Sequence, residues 1–303
     1  MRLCGCKERS LLVIQIIGLI VVVGCVLGGF ILQGGHPLVL WHPTEALIIV
    51  GAALGAFITS NPPKVCKAAF AGALNFMKRP RYQRDDYVAL LKLLYGILVK
   101  IRKEGLMAIE VHLEAPDGGA LFKNYPQISA DRQLVDFIRD CLRLIVGGSL
   151  DPQELESLLE QELETHQQQV HEPVYAMQKV ADALPGFGIV AAVLGIVNTM
   201  AALQGADTDT ATIGHKVGAA LVGTFLGILV SYGFVGPVAA GMGHHANEET
   251  RAFEVVKMAL VATVRGYVPS VAIEFSRKLV RRDVRPTFRD LESELKVKAK
   301  AAA

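Results

Sequence analysis

The N-terminal part of the chain contains a long stretch without charged side chains. Between Arg9 and Glu45 there is no Asp, Glu, Lys or Arg. Within it, residues 11–32 form an apolar run of 22 residues, enough for one helix to cross the hydrocarbon core of a membrane. The run is too long for the hydrophobic region of a signal peptide, and no small-residue cleavage site leads from it into a polar segment. It therefore predicts a transmembrane helix.

Three further uncharged runs follow, at residues 46–60, between Asp182 and Asp207, and at residues 217–243. They account for much of the 51% of residues that are hydrophobic. Each is long enough, or nearly so, to cross the membrane as a helix. The sequence therefore predicts four transmembrane helices.

The positions of Lys and Arg predict the orientation of these helices, because cytoplasmic segments carry the excess of basic residues. Three basic residues precede helix 1, 14 lie between Asn61 and Glu172, and 12 lie between His244 and the end of the chain. The connectors at residues 33–44 and 204–213 contain none. Both termini and the long middle segment are therefore expected in the cytoplasm.

The charged segments show helical rather than strand periodicity. Apolar residues recur at helical spacing in residues 85–104 and 129–146, and Pro152 opens a helix that runs toward membrane helix 3. The tail predicts helices at about 247–267 and from Pro269 to about 282, followed by a polar end. We expect an all-α integral membrane protein with a helical cytoplasmic domain between helices 2 and 3 and a helical C-terminal tail. The expected divisions are residues 1–60, 61–182, 183–243 and 244–303.

Several kinds of function lack their sequence signature. There is no Walker loop, no HExxH, no GxSxG after a strand, and no His/Cys cluster with metal-ligand spacing. The formal net charge of +2 is too small for a polybasic nucleic-acid-binding protein. The sequence therefore predicts a protein that is not an enzyme and uses no cofactor or metal.

The predicted membrane helices carry small residues at the spacing that lets helix backbones approach closely. The positions concerned are Gly24 and Gly28, Gly51 and Gly55, Gly223 and Gly227, and in helix 3 Gly188, Ala191, Ala192, Gly195 and Thr199. Two interpretations remain open. The stripes either pack the helices of one chain together, or they face other subunits and a partner helix.

Few polar groups lie at membrane depth, and no carboxylate is among them, since Glu45 falls at the outer edge of helix 2. A chain that conducts an ion without its own titratable group needs that group from a partner. Two prolines are expected near the inner membrane face. Pro185 is placed in the first turn of helix 3, where proline is ordinary, whereas Pro237 lies inside an apolar run and predicts a kink or hinge.

These features together resemble the MotA family of flagellar motor stator proteins, over nearly the whole chain. The motifs that carry the resemblance are 42–52 (HPTEALIIVGA), 184–195 (LPGFGIVAAVLG), 218–237 (GAALVGTFLGILVSYGFVGP), 125–131 with 136–145, 162–166 (ELETH) and 272–278 (AIEFSRK). The related ExbB/TolQ proteins have three membrane helices and lack the long segment between helices 2 and 3.

The resemblance implies an assembly and an activity. Members of the family form a ring of five subunits around two MotB-like single-span chains, each of which supplies the ion-binding aspartate. Ion flow turns the ring against the rotor protein FliG. The alternative is an ExbB-like scaffold that energises an outer-envelope transporter, and the kind of partner protein would distinguish the two.

The resemblance also implies roles for particular residues. Arg102 and Glu110, and more weakly Glu162, match positions at which members of the family contact the rotor. If the resemblance is set aside, the same residues are interpreted as ordinary charges on a solvated helix surface. Pro185 and Pro237 match the prolines that couple ion flow to movement. Thr224 matches the pore threonine. Ala192 stands where sodium-driven relatives have a second threonine, which implies that the ion is a proton.

Overall fold

The computed structural model describes residues 4–77, 81–113, 119–148, 151–202 and 210–301. Within these ranges the chain is almost entirely helical and contains no β-strand. The first seven helices are α1 (Cys4–Leu32), α2 (Pro43–Ser60), α3 (Pro63–Asn75), α4 (Arg84–Glu104), α5 (Met107–Leu113), α6 (Gly119–Lys123) and α7 (Pro126–Ser129). The remaining helices are α8 (Arg132–Val146), α9 (Pro152–Ala202), α10 (Thr210–Val230), α11 (Gly236–Val264), α12 (Pro269–Leu279) and α13 (Phe288–Ala301). A π-helical segment, Ser231–Val235, joins α10 to α11.

Four helical segments are long and apolar enough to cross a membrane, as predicted. They are Val13–Leu32, Pro37–Ser60, Pro152–Ala201 and Thr210–Val264. The outer connector predicted at residues 204–213 lies mostly outside the described residues.

Two predicted helix boundaries are wrong. Pro185 does not open a helix: it lies inside α9, which is continuous over 51 residues and also contains Pro173. The helix predicted from about 247 begins at Gly236, inside the uncharged run of residues 217–243, and the polar end beyond 282 contains α13. The composition changes sharply from charged to apolar along α9, but the helical hydrogen bonding does not stop there.

The chain divides into two compact units. The first comprises residues 1–79 and 170–245, and the second residues 80–169 and 246–303. Both α9 and α11 contribute residues to each unit. In the first unit, α2 and α3 each begin with a proline in the first turn, where its missing N–H has no helical partner to lose.

The second unit has a continuous apolar core built around α4. The buried side chains of α4 recur at helical spacing and include Leu90, Leu94, Ile97 and Leu98, all fully buried. They pack with buried residues of α8, α11 and α12. Burying one such side chain stabilises a fold by about 1.5–3 kcal/mol. Residues 85–104 and 129–146 were predicted as helices from this spacing, and α4 and α8 confirm them.

The ends of α4 and α8 are set by local hydrogen bonds. The backbone N–H of Gln83 donates to Asp86 at 2.9 Å as part of a capping box. Gly105 ends α4 with φ of 85°, a left-handed conformation that glycine adopts without strain. At the start of α8 the Asp131 carboxylate accepts from the N–H of Leu134 at 3.2 Å.

Candidate functional site

Helices α9 and α10 approach each other through residues that lack bulky side chains. A Cβ on Gly188 would lie 3.0 Å from the carbonyl oxygen of Gly223 and 3.2 Å from the Cα of Gly227. One on Gly195 would lie 2.8 Å from the Cβ of Ala220. For these positions the structure favours packing within one chain, one of the two interpretations of the small-residue stripes.

The remaining small-residue pairs behave differently. Gly24, Gly28, Gly51 and Gly55 have no heavy atom within 4 Å of the position that a Cβ would occupy. The described part of the chain therefore offers these glycines no close neighbour, and their faces are open to other molecules.

The two residues predicted for the ion pathway, Ala192 and Thr224, lie at this α9–α10 contact. The backbone nitrogen of Ala192 is 3.5 Å from the Cβ position of Gly223, the neighbour of Thr224. Ala192 is buried and Thr224 is half-buried. The Cα of Thr224 is 3.3 Å from the Cβ position of Gly188, which lies one turn before Ala192 on α9.

Glu45 of α2 also approaches Gly223, which the sequence alone did not indicate. Its Cγ is 3.5 Å from the Cβ position of Gly223. The carboxylate accepts a hydrogen bond from the Thr44 hydroxyl at 2.6 Å and lies 3.9 Å from Nδ1 of His42. The ring of His42 is edge-on to His215, with centroids 6.0 Å apart. The end of the first unit at which α2 begins therefore groups titratable side chains beside the residue that precedes Thr224.

The two prolines lie at irregular points of the long helices. Pro185 lacks the N–H that would bond the carbonyl of Ala181 in an α-helix, and the Ser231 hydroxyl donates to that carbonyl instead, at 2.6 Å. Pro237 is the second residue of α11, and Gly236 alone separates it from the π-helical segment. The helix type therefore changes just before Pro237, and the kink or hinge predicted there stays a prediction.

The predicted rotor-contact residues belong to the second unit. Arg102 is exposed in the last turn of α4, and Glu110 lies on α5, which packs against α4. Glu110 is half-buried. No ion pair or side-chain hydrogen bond in the described part of the chain involves Arg102 or Glu110. Glu162 is exposed on α9.

A buried polar cluster supports the start of α8. The carboxylate of Asp131, 3% exposed, accepts from the hydroxyl of Tyr82 and lies 2.9 Å from the guanidinium of Arg81. Arg81 also pairs with Glu249 at 3.0 Å. Burial and the neighbouring Asp131 raise the pKa of the Tyr82 phenol, so it stays protonated and remains a donor. The cluster fixes the segment that joins α7 to α8.

Comparison with known proteins identifies the class of this fold and site. Residues 16–105 match the family described as motility protein A N-terminal, and residues 130–255 match the MotA/TolQ/ExbB proton channel family. The chain is a membrane protein of this proton channel class.

Individual relatives narrow the class. Motility protein A of Salmonella typhimurium is 40% identical over 281 residues, covering 93% of this chain and 94% of that protein. Chemotaxis protein LafT of Vibrio parahaemolyticus is 40% identical over 278 residues, covering 92% and 96%. The chain belongs to the motility protein A family.

Solved structures share the fold. The structure of C. jejuni MotAB matches with a TM-score of 0.70 at 20% identity, covering 90% of this chain and 98% of that one. The flagellar MotAB stator complex of Bacillus subtilis matches with a TM-score of 0.63 at 21% identity, covering 86% and 92%.

Proposed function

We propose that this chain is the MotA-type subunit of a flagellar motor stator, which forms a proton channel with a MotB-like partner and generates torque on the rotor protein FliG. The observation that carries the proposal is the 40% identity to motility protein A along 93% of the chain. Its relatives are channel and stator proteins, which supports a role other than catalysis.

The proposed assembly with a partner chain is supported by the lack of a carboxylate in the predicted membrane segments. Apart from Glu45 at the outer end, the predicted membrane segments offer no carboxylate, so a single-span partner supplies the ion-binding aspartate. Solved relatives are complexes of MotA with MotB, which supports such a partner. The open faces at Gly24, Gly28, Gly51 and Gly55 are available to neighbouring subunits, in a ring of five around two partner chains.

The ion passes beside the α9–α10 contact, where Thr224 offers a hydroxyl and Ala192 a methyl group. Pro185 and Pro237 couple the passage of the ion to movement of the second unit, which lies in the cytoplasm. Each proline removes a backbone hydrogen bond from a long helix. Arg102, Glu110 and Glu162 contact the rotor. In this arrangement the protein lies in the inner membrane with both termini in the cytoplasm, as the distribution of Lys and Arg indicates.

Deletion of the gene tests the proposal. Cells without the protein should build flagella but fail to swim, and a plasmid copy should restore swimming. The matched control is a plasmid that encodes the chain truncated before α9, which lacks two of the four membrane spans. Normal swimming of the deletion strain, combined with loss of energised uptake across the outer envelope, would favour an ExbB-like role instead.

A further inference from the structure

One hydroxyl group in the first unit, which contains most of the predicted membrane helices and is called the membrane-spanning unit below, bonds to a different helix from its own. The Ser231 hydroxyl donates to the carbonyl of Ala181 on α9 at 2.6 Å. Both residues are buried, with exposed fractions of 1% and 2%. Because residue 185 is a proline, the carbonyl of Ala181 has no N–H four residues ahead. An unpaired carbonyl is costly in an apolar environment, so the serine replaces the donor that the proline removed.

The usual behaviour of a hydroxyl in a membrane helix is visible at Thr199. Its side chain bonds the carbonyl of Gly195, four residues back in the same helix, at 2.8 Å. That carbonyl also has the ordinary backbone donor of Thr199, so the hydroxyl is an addition. Ser231 instead bonds a carbonyl on another helix.

Ser231 also lies at the irregular helical segment that precedes Pro237. It is the first residue of the π-helical segment Ser231–Val235, and its own carbonyl accepts from the N–H of Gly236. The next residue, Pro237, has no N–H for the carbonyl of Gly233. Ser231 therefore contacts both places where a proline interrupts the backbone hydrogen bonding. Its side chain does so at Pro185, and its backbone does so just before Pro237.

The packing around Ser231 leaves the two helices little freedom to slide. One turn earlier, a Cβ on Gly227 would lie 2.8 Å from the carbonyl oxygen of Leu184. The backbones are therefore close enough for the short serine side chain to span the gap. A change in bending at Pro185 must either carry Ser231 along or break its hydrogen bond.

We infer that Ser231 is a positioning residue for the coupling step: its bond to Ala181 makes the Pro185 break of α9 and the π-helical break before Pro237 bend together. The inference rests on the proposed function, since it concerns how ion passage is converted to movement. Without the hydroxyl, the carbonyl of Ala181 loses its donor and the two helices bend independently.

Three variants test the inference in the full-length protein in cells. Ser231→Ala removes the donor and Ser231→Thr keeps it. Thr199→Val is the matched control, because it removes a buried membrane hydroxyl whose acceptor retains a backbone partner. For each we would measure the amount in the membrane, co-purification of the single-span partner, and swimming speed as the proton-motive force is varied.

Ser231→Ala should lower the maximal swimming speed about twofold or more, as expected when a buried acceptor is left without its donor. The proton-motive force at half-maximal speed should not change, because ion binding is untouched. Membrane content and partner co-purification should stay at the wild-type level, Ser231→Thr should restore speed, and Thr199→Val should swim normally.

Four results would overturn the inference: normal speed of Ser231→Ala, a shifted half-maximal force, equal slowing in the threonine variant, or loss of the alanine variant from the membrane. The last would assign the bond to folding alone. The gene deletion separates this inference from the proposed function. If deletion abolishes swimming while Ser231→Ala swims normally, only the role of Ser231 is wrong.

Discussion

The absence of Cβ atoms at two glycines allows α9 and α10 to approach each other closely. Gly188 and Gly227 face each other so closely that a Cβ on Gly227 would lie 2.9 Å from the Cα of Gly188 and 2.8 Å from the carbonyl of Leu184. Both neighbours are backbone atoms and cannot rotate away. The identity of one glycine therefore controls how closely α9 and α10 approach each other.

Gly227→Ala should destabilise the membrane-spanning unit by about 1–3 kcal/mol, the usual cost of an added methyl group in a packed interior. The thermal midpoint of the purified protein in detergent, and its amount in the membrane, should both fall. Gly218→Ala in the same helix is the control, since no heavy atom lies within 4 Å of the added carbon. Equal stability of the two variants would mean that α9 and α10 can separate at no cost.

At the level of helices, α12 is held by a two-point ion pair. The carboxylate of Glu274 accepts from Nε of Arg277 at 2.7 Å and from Nη2 at 2.6 Å, and Arg277 also donates to the carbonyl of Pro286. Hydrogen bonding by Arg277 holds the pKa of the Glu274 carboxyl below its ordinary value of 4.5. Glu274 therefore contributes to stability when it is ionised.

Glu274→Gln should lower the stability of the purified protein at neutral pH by about 0.5–1 kcal/mol. Because the folded-state pKa is depressed, this contribution is present above about pH 4.5 and is lost as the pH falls through the folded value. The difference between wild type and variant should therefore shrink on acidification. In an Arg277→Gln background the same substitution should cost less. A difference that is independent of pH would contradict this account.

The elements that the sequence predicted are those whose signal is local. Helices α4 and α8 were predicted because their apolar residues recur at helical spacing between polar ends. The continuity of α9 through Pro185 was not predictable, because the missing donor is replaced by Ser231, which is 50 positions away from Ala181 along the chain. Helix α13 was missed because its apolar surface is small; Leu291 is its buried residue in the core.

In the candidate site, too, only the features with a local sequence signal could be predicted. Ala192 and Thr224 were identified by resemblance, and the glycines that bring them together could be read as small-residue stripes. Their spacing could not decide whether those stripes face the same chain or another one. The direction of Glu45 depends on the contact between α2 and Gly223, which no local pattern encodes.

For the whole molecule, the proposed function requires that the second unit contacts the rotor. Arg102→Glu should reduce swimming speed severely without lowering the amount of protein in the membrane, because exposed charges contribute little to stability. Partial rescue by a compensating charge change in FliG would support a direct contact. Arg289→Glu, which reverses an exposed charge on α13, is the control and should swim normally. If Arg102→Glu and Glu110→Arg both swim like wild type, the rotor assignment is wrong.

The identity of the transported ion depends on how many oxygen atoms the pathway offers. Sodium sheds its water only where several oxygens replace it, whereas a proton needs one acceptor and a chain of water. In the proposed pathway Thr224 contributes a hydroxyl, whereas Ala192 contributes a methyl group. Thr199 cannot replace the missing oxygen: it lies about 10 Å further along the helix, and its hydroxyl is bonded to Gly195.

We therefore expect a stator driven by protons. Swimming speed should be unchanged when sodium in the medium is replaced by potassium, and it should collapse when a protonophore dissipates the proton gradient. Ala192→Thr adds the second hydroxyl and should not by itself confer dependence on sodium, because the partner's share of the site is unaltered. The measurement is swimming speed in buffers of fixed pH and ionic strength, with Thr199→Val as the matched control for a changed hydroxyl in the same helix. A wild-type speed that rises steeply with external sodium at constant proton-motive force would show that the ion assignment is wrong.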